Sequence, residues 1–427
     1  MPYESREISL NVKSVDTTVD FTATGFGTPD AVVIYTVREM LNDGRVSDDN
    51  QWSVTLWDGT RTRCVCAWDE NGVGTTDSRT TASTSAVVLN GNFAGAFEYT
   101  ISSITNGIRL TKVNNNLADT AVSVVLMKGL NSVRVDTFTP DATSGNDVNV
   151  TAPGFQPDYL MTLSPGGAPW NSGVSGTVND ALWAIGHVAR DGSSFNLVSV
   201  SWGSDNGQSN TDTYIDVRDS TYIARNVLAS LQVLEFRSFD PTGFTVRSGS
   251  NRAGNRDVAY LAIELDPADK AVTFSDQART STTGPRSYTT PDVNPDTLFI
   301  FGTRVPVASL NSLRTAGISE TFGFYVKDSA HSEVSGGGMS EYIAATTNTF
   351  VYSDTGRFVV YEPLSASPGI AANYLSTGTE EFTMNWTVVS PIPVISFLGV
   401  AIGEIPASSN QRDLMPFFTH MASKGML

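Results

Sequence analysis

Two landmarks recur three times along the chain, and they share one spacing. The first is a Pro-led turn running into an apolar, β-rich segment: FTATGFGTPDAVVIYTV from Phe21, VTAPGFQPDYLMTLSP from Val150 and SYTTPDVNPDTLFIFGTR from Ser287. Pro29, Pro157 and Pro295 hold equivalent places, each followed by Asp. Proline presets the turn dihedral, aspartate can cap the turn through its side chain, and the run that follows has strand composition. The second landmark is an alternating segment, NGIRLTK around Ile108, TGFTVRS around Phe244 and EEFTMNWT around Phe382, each leading into an apolar run that contains Val122, Val258 or Ile395. Both landmarks return after about 130 to 138 residues. A period this long denotes tandem domains, not solenoid rungs.

Between the landmarks lie short alternating strands and Gly/Asn/Asp turns, as in VTLWDGTRTRCVCAWDENG and AIGHVARDGSSFNLVSVSWGSDNG, with almost no helical periodicity. The expected fold is therefore all-β: three tandem β-sandwich or jelly-roll-like domains over residues 1–131, 132–269 and 270–406, then a short C-terminal strap over 407–427. Each domain is expected to hold a core of its own and to leave its exterior free for contact. The linkers are short, which predicts closely abutting units and not beads on a string.

A formal charge of −17 excludes a nucleic-acid binder, since neutralising phosphates needs clustered Lys and Arg and no such cluster occurs. The two cysteines, Cys64 and Cys66, have one residue between them. On a strand they share a face and cannot close a strain-free bridge, so no disulfide framework is expected. No basic start leads into an apolar stretch and no apolar run reaches about 18 residues, so neither a secretory leader nor membrane insertion is expected.

Chemistry is hard to find. The three histidines, His187, His331 and His420, fall in separate segments, and His187 in ALWAIGHVAR reads as an ordinary packed imidazole on a strand. No G-x-S-x-G elbow is present. Asp212, Asp216 and Asp219 form the densest carboxylate group, but Asp216 and Asp219 lie where a strand runs into a turn and are expected in water. The loops Asp69 to Asp77 and Gly203 to Asp212 collect oxygen ligands of the kind Ca²⁺ takes, without the ordered D-x-[DN]-x-[DN]-G pattern. No catalytic residue, resident metal or cofactor is expected, and Ca²⁺ is the one cation these loops leave open.

Two features point to contact with partners. Trp170 in GGAPWNSG has loop-like flanks, unlike the other tryptophans, and is the candidate ring for touching a sugar or a partner. After Pro406 the pattern changes, and Leu414, Met415, Phe417, Phe418 and Met421 form an apolar tail too short to fold alone. It reads either as a strap on its own third domain or as an anchor inserted into a neighbouring subunit.

The turns GFGTPDAVVI and GFQPDYLMTL, Thr/Ser/Asn-rich sandwiches in tandem, the lack of a cysteine framework and the distinct tail together resemble virion proteins of tailed bacteriophages, in particular tail-associated and appendage modules. The third copy, DVNPDTLFIF, lacks the Gly-Phe. The resemblance implies a non-enzymatic structural protein, with a tail or tail-fiber position favoured over capsid decoration. It implies a homo-oligomer assembled in the host cytoplasm with other virion proteins, and carries over no functional residue. The runner-up readings are a carbohydrate- or receptor-binding module for host attachment and, behind it, a tail-borne polysaccharide hydrolase.

Overall fold

The computed structural model describes residues 2–407 except 39–48, 71, 85–86, 92–94, 116–118, 167, 172–177, 180, 205, 210–212, 220–221, 226–232, 251–256, 279–282, 304–312, 316–317, 328–331, 341–348, 358, 362–369 and 389–394. Among the described residues the elements are strands gathered into sheets, and the chain is all-β, built of β-sandwiches.

The first unit has an inner sheet ordered Glu4–Lys13, Asp119–Lys128, Ala31–Val37, Asn50–Trp57, Thr62–Asp69, Ser78–Ser83, and an outer sheet ordered Thr18–Thr22, Gly107–Asn115, Gly95–Ile104, Val87–Gly91. The second unit repeats that order. Its inner sheet runs Ser132–Phe138, Val258–Glu264, Tyr159–Ser164, Ala181–Asp191, Ser194–Ser204, Thr213–Arg218, and its outer sheet Asp147–Val150, Gly243–Ser250, Val233–Asp240, Tyr222–Arg225. The third repeats it again, with Asp269–Ala278, Ile395–Glu404, Asn294–Thr303, Ile318–Val326, Ser332–Ser340, Thr349–Asp354 inside and Gly284–Thr289, Glu381–Val388, Ile370–Gly378, Val359–Tyr361 outside.

The repeated turn has a local task. In the first unit Asp30 donates its N–H to the Met127 carbonyl, while its carboxylate accepts from Gly129 N at 2.8 Å and Leu130 N at 3.2 Å. Asp158 does the same in the second: its N–H bonds to the Ile263 carbonyl and its carboxylate accepts from Leu265 N at 2.9 Å. In these two units the aspartate after the proline thus pins the chain as it leaves the unit's last strand, which fixes the linker. In the third unit Asp296 pairs with Lys327 at 2.9 Å instead. The glycine of the second landmark is equally local, because a Cβ at Gly107 or Gly243 would stand within 2.0 Å of the backbone oxygen of Phe21 or Val150.

Burial separates the two kinds of sheet. Outer strands alternate, with Thr18, Asp20 and Thr22 exposed around buried Phe21, and Asp147 and Asn149 exposed before buried Val150. Inner strands do not: Ala31–Val37, Asn50–Trp57 and Tyr159–Ser164 are buried along their whole length. Antiparallel sheets commonly keep one face wet, so the inner sheets must be covered on both sides. One face packs on the unit's own outer sheet, giving three private cores centred on Phe97 and Ile34, on Phe236 and Phe244, and on Phe382 and Phe397. The other face joins a fourth core that draws on all three units, including Val33, Met161 and Phe299.

That common core corrects the expectation of freely exposed exteriors. Each pair of units meets there through aromatic contact: Trp52 with Trp183 at 4.3 Å, His187 with Phe301 at 5.0 Å, and Tyr35 with Phe324 at 4.3 Å between ring centroids. The three inner sheets therefore close a triangle. Strands are also lent between units: Trp170–Asn171 and Val178–Asn179 of the second extend the first unit's edge strand Ser78–Ser83, and Leu313–Thr315 of the third extends the second's Thr213–Arg218. Tyr3 ties the start of the chain to the third unit, its N–H on the Asp269 carboxylate at 3.1 Å and its hydroxyl 2.8 Å from Thr297 Oγ1.

A shared core predicts shared stability. Phe299→Ala deletes a ring buried among all three units and should cost about 3–5 kcal/mol. Hydrogen exchange should then show lost amide protection in Ala31–Val37 and Tyr159–Ser164 as well as in the third unit. Loss confined to residues 270–406 would contradict the common core.

Candidate functional site

The seams between units hold several of the residues that the sequence singles out. The two oxygen-rich loops, expected as separate cation candidates, meet each other. Gly207 N donates to the Thr76 carbonyl at 2.7 Å, Thr76 N to the Gln208 carbonyl at 2.9 Å, and Gln208 N to Thr76 Oγ1 at 2.9 Å. Asn206 Oδ1 accepts from Ser78 N at 3.0 Å, and Ser78 Oγ, 3.0 Å from Ser204 Oγ, donates to the buried Asp69 carboxylate at 2.6 Å. Much of the loops' hydrogen-bonding capacity is spent in a clasp between the first and second units. Among the described residues no group of three or more His, Cys, Asp or Glu is placed to hold a metal ion.

Asp216 also departs from expectation. It is not in water but buried, its carboxylate gripped by Arg218 through Nε at 2.6 Å and a terminal nitrogen at 2.8 Å. A two-pronged guanidinium–carboxylate pair of this kind offsets part of the cost of taking both groups out of water. Asp219 is exposed, and Asp212 lies outside the described residues. Cys64 and Cys66 are both buried and are not joined in a disulfide.

Trp170 is placed differently from a projecting ring. It sits in the lent strand Trp170–Asn171, its indole N–H donates to the Asp257 carbonyl at 2.7 Å, and its ring packs against the common core. The flanking glycines suggested a loop because pairing with another unit's edge leaves no local periodicity. Leu414, Met415, Phe417, Phe418 and Met421 lie outside the described residues, as do His331 and His420.

His187 is the packed imidazole the sequence suggests, at a more demanding place. It is fully buried, stacked near Phe299 and Phe301, with Nδ1 2.6 Å from the Tyr159 hydroxyl. Burial alone pulls its pKa from 6.5 to about 3.

An open cleft lies elsewhere, and the sequence gives no single motif for it. It belongs to the second unit, has a volume of about 550 Å³, and lies between the tips of the inner hairpin around Gly192 and the outer hairpin around Phe239. Arg190 and Phe195 come from the first tip, Arg237 and Phe239 from the second, with Gln156 between them. Phe195 and Phe239 are half-buried and rest on Phe236 at 4.7 and 4.8 Å.

No protein-family model and no curated protein matches the chain. Among solved structures, the CymD monoaromatic hydrocarbon channel aligns over 92% of this chain and 95% of its own at 11% identity, with a TM-score of 0.12, which is too slight to bear on fold or function.

The His187 environment sets a pH dependence. Unfolded, the imidazole takes a proton near pH 6.5; folded, it stays neutral down to about pH 3. Its contribution is complete above pH 6.5, and between 6.5 and about 3 the unfolded state binds the extra proton, so stability falls with pH by up to about 1.4 kcal/mol per unit. In urea titrations across that window, His187→Gln should flatten the slope relative to the parent protein; parallel slopes would refute the assignment.

Proposed function

We propose that the protein is a non-enzymatic structural component of a tailed-virus particle, assembling with copies of itself and with other virion proteins, in a tail or appendage more than on the capsid surface. The observation that carries the reading is the triangle of inner sheets, which makes three sandwiches one body without a disulfide among the described residues. A part that must keep its shape outside a cell benefits from stiffness that no reductant can remove. The outer sheets then present polar contact faces. In the first two units these carry matching cross-strand ion pairs, Arg109 with Asp20 at 2.6 Å and Arg247 with Asp147 at 2.7 Å. Repetition of modest contacts by symmetry supplies the affinity.

In this reading the apolar tail with Leu414, Met415, Phe417, Phe418 and Met421 is the grip on the next component. Deleting residues 408–427 should leave circular dichroism and the unfolding transition of the rest unchanged while abolishing incorporation. Electron microscopy of particles labelled with an antibody to the protein reads both outcomes. A truncated chain that still assembles would remove the anchor, and absence of the full-length protein from particles would remove the function.

A further inference from the structure

We infer that the cleft of the second unit is a binding site for a carboxylate-bearing sugar, such as a uronic acid within a surface polysaccharide. This goes beyond the assembly role and does not depend on it. The cleft is a local addition to a scaffold that occurs three times. In the first unit the strand Asn50–Trp57 ends where the second still has Ala189, Arg190 and Asp191 to come, as the pairings Val32 to Trp57 and Leu160 to Val188 show. The longer hairpin brings Arg190 opposite Phe195.

The facing hairpin is altered too. Pairing shifts between Phe236 and Ser238, so Arg237 sits on a bulge and is turned outward, its side chain 42% exposed. The third unit has the same bulge with Leu375, and the first pairs Ile101 and Ser102 without one. At the Phe239 position the other units have Ser103 and Thr377. The second unit thus brings two cations and two aromatic rings to one cleft; the third also has a lengthened hairpin and a bulge, with Lys327 in the place of Arg190 but Leu375 and Thr377 in the places of Arg237 and Phe239.

The chemistry of the lining selects the ligand. Two half-buried phenyl rings held by a third offer flat apolar surface to the C–H face of a pyranose. Arg237 has only a loose ion pair, 3.6 Å from Glu235, and so keeps guanidinium hydrogens for a planar carboxylate. Arg190 is anchored by Asp158, yet its Nε is buried with no hydrogen-bond partner. The hydroxyls of Ser193, Ser194 and Ser238 border the space and can accept from sugar hydroxyls. In a chain of net charge −17 an anion needs such a local pair of cations to approach.

The test is calorimetric titration of the full chain with digalacturonate and with its methyl ester. Saturable binding of the acid, at least tenfold weaker for the ester and weakened by raising salt, is expected. Arg237→Ala and Phe239→Ala should each lower affinity at least tenfold, with Arg237→Ala leaving the melting temperature unchanged. No saturable binding of the acid, equal binding of acid and ester, or binding that survives Arg237→Ala would each overturn the assignment.

Discussion

The rest of the molecule depends on one requirement: three sheets, each apolar on both faces, have to be dry on both. A single sandwich can cover only one face of its larger sheet with its smaller one. The second face, lined by residues such as Val33, Tyr35, Met161 and Phe299, needs two further copies of itself, and the triangle satisfies all three at once. The unit of stability is consequently the trio.

The seams follow from that closure. Aromatic pairs such as Trp52 with Trp183 supply contact area, and polar pairs set the alignment. Val135 N donates to Asp58 at 2.9 Å, Arg63 pairs with Asp136 at 3.1 Å, and Lys270 with Asp191 at 3.1 Å, each joining one unit to the next. Apolar packing alone tolerates sliding, whereas a directional bond is satisfied in one register only. Strands lent across unit edges act in the same direction by covering edges that would otherwise invite pairing with foreign chains.

The repeat, the all-strand character and the turn chemistry were readable because they are local. Proline, aspartate and the following apolar run act within about ten residues. The common core was written in the same runs, AVVIYTV and YLMTLS, whose lack of alternation is the mark of a strand buried on both faces. Periodicity cannot say what covers the second face, so the runs specified the need and not its answer. Asp216 and Trp170 were misplaced for a related reason. Asp216 lies two residues from Arg218, a distance that puts both on one strand face, yet its burial depends on the surrounding sheet. Trp170 is fixed by an edge strand and a carbonyl more than 80 residues away. The cleft left no motif because its parts, Arg190 with Phe195 and Arg237 with Phe239, come from two hairpins that meet only after folding.

Joining three units on one chain has a consequence that three separate identical chains could not have. In a homotrimer every surface change appears three times, and a change near the axis meets its own copies. On a single chain the inner faces can stay alike enough to close while the outer hairpins diverge one at a time. The bulge residue is Arg237 in one unit and Leu375 in another, and the hairpin that ends at Trp57 in the first unit runs on to Asp191 in the second. Because Arg190, Arg237 and Leu375 lie at hairpin tips and are not themselves part of the shared core, their divergence leaves the closure undisturbed. The same physics that makes the interior collective therefore leaves the rim free to specialise.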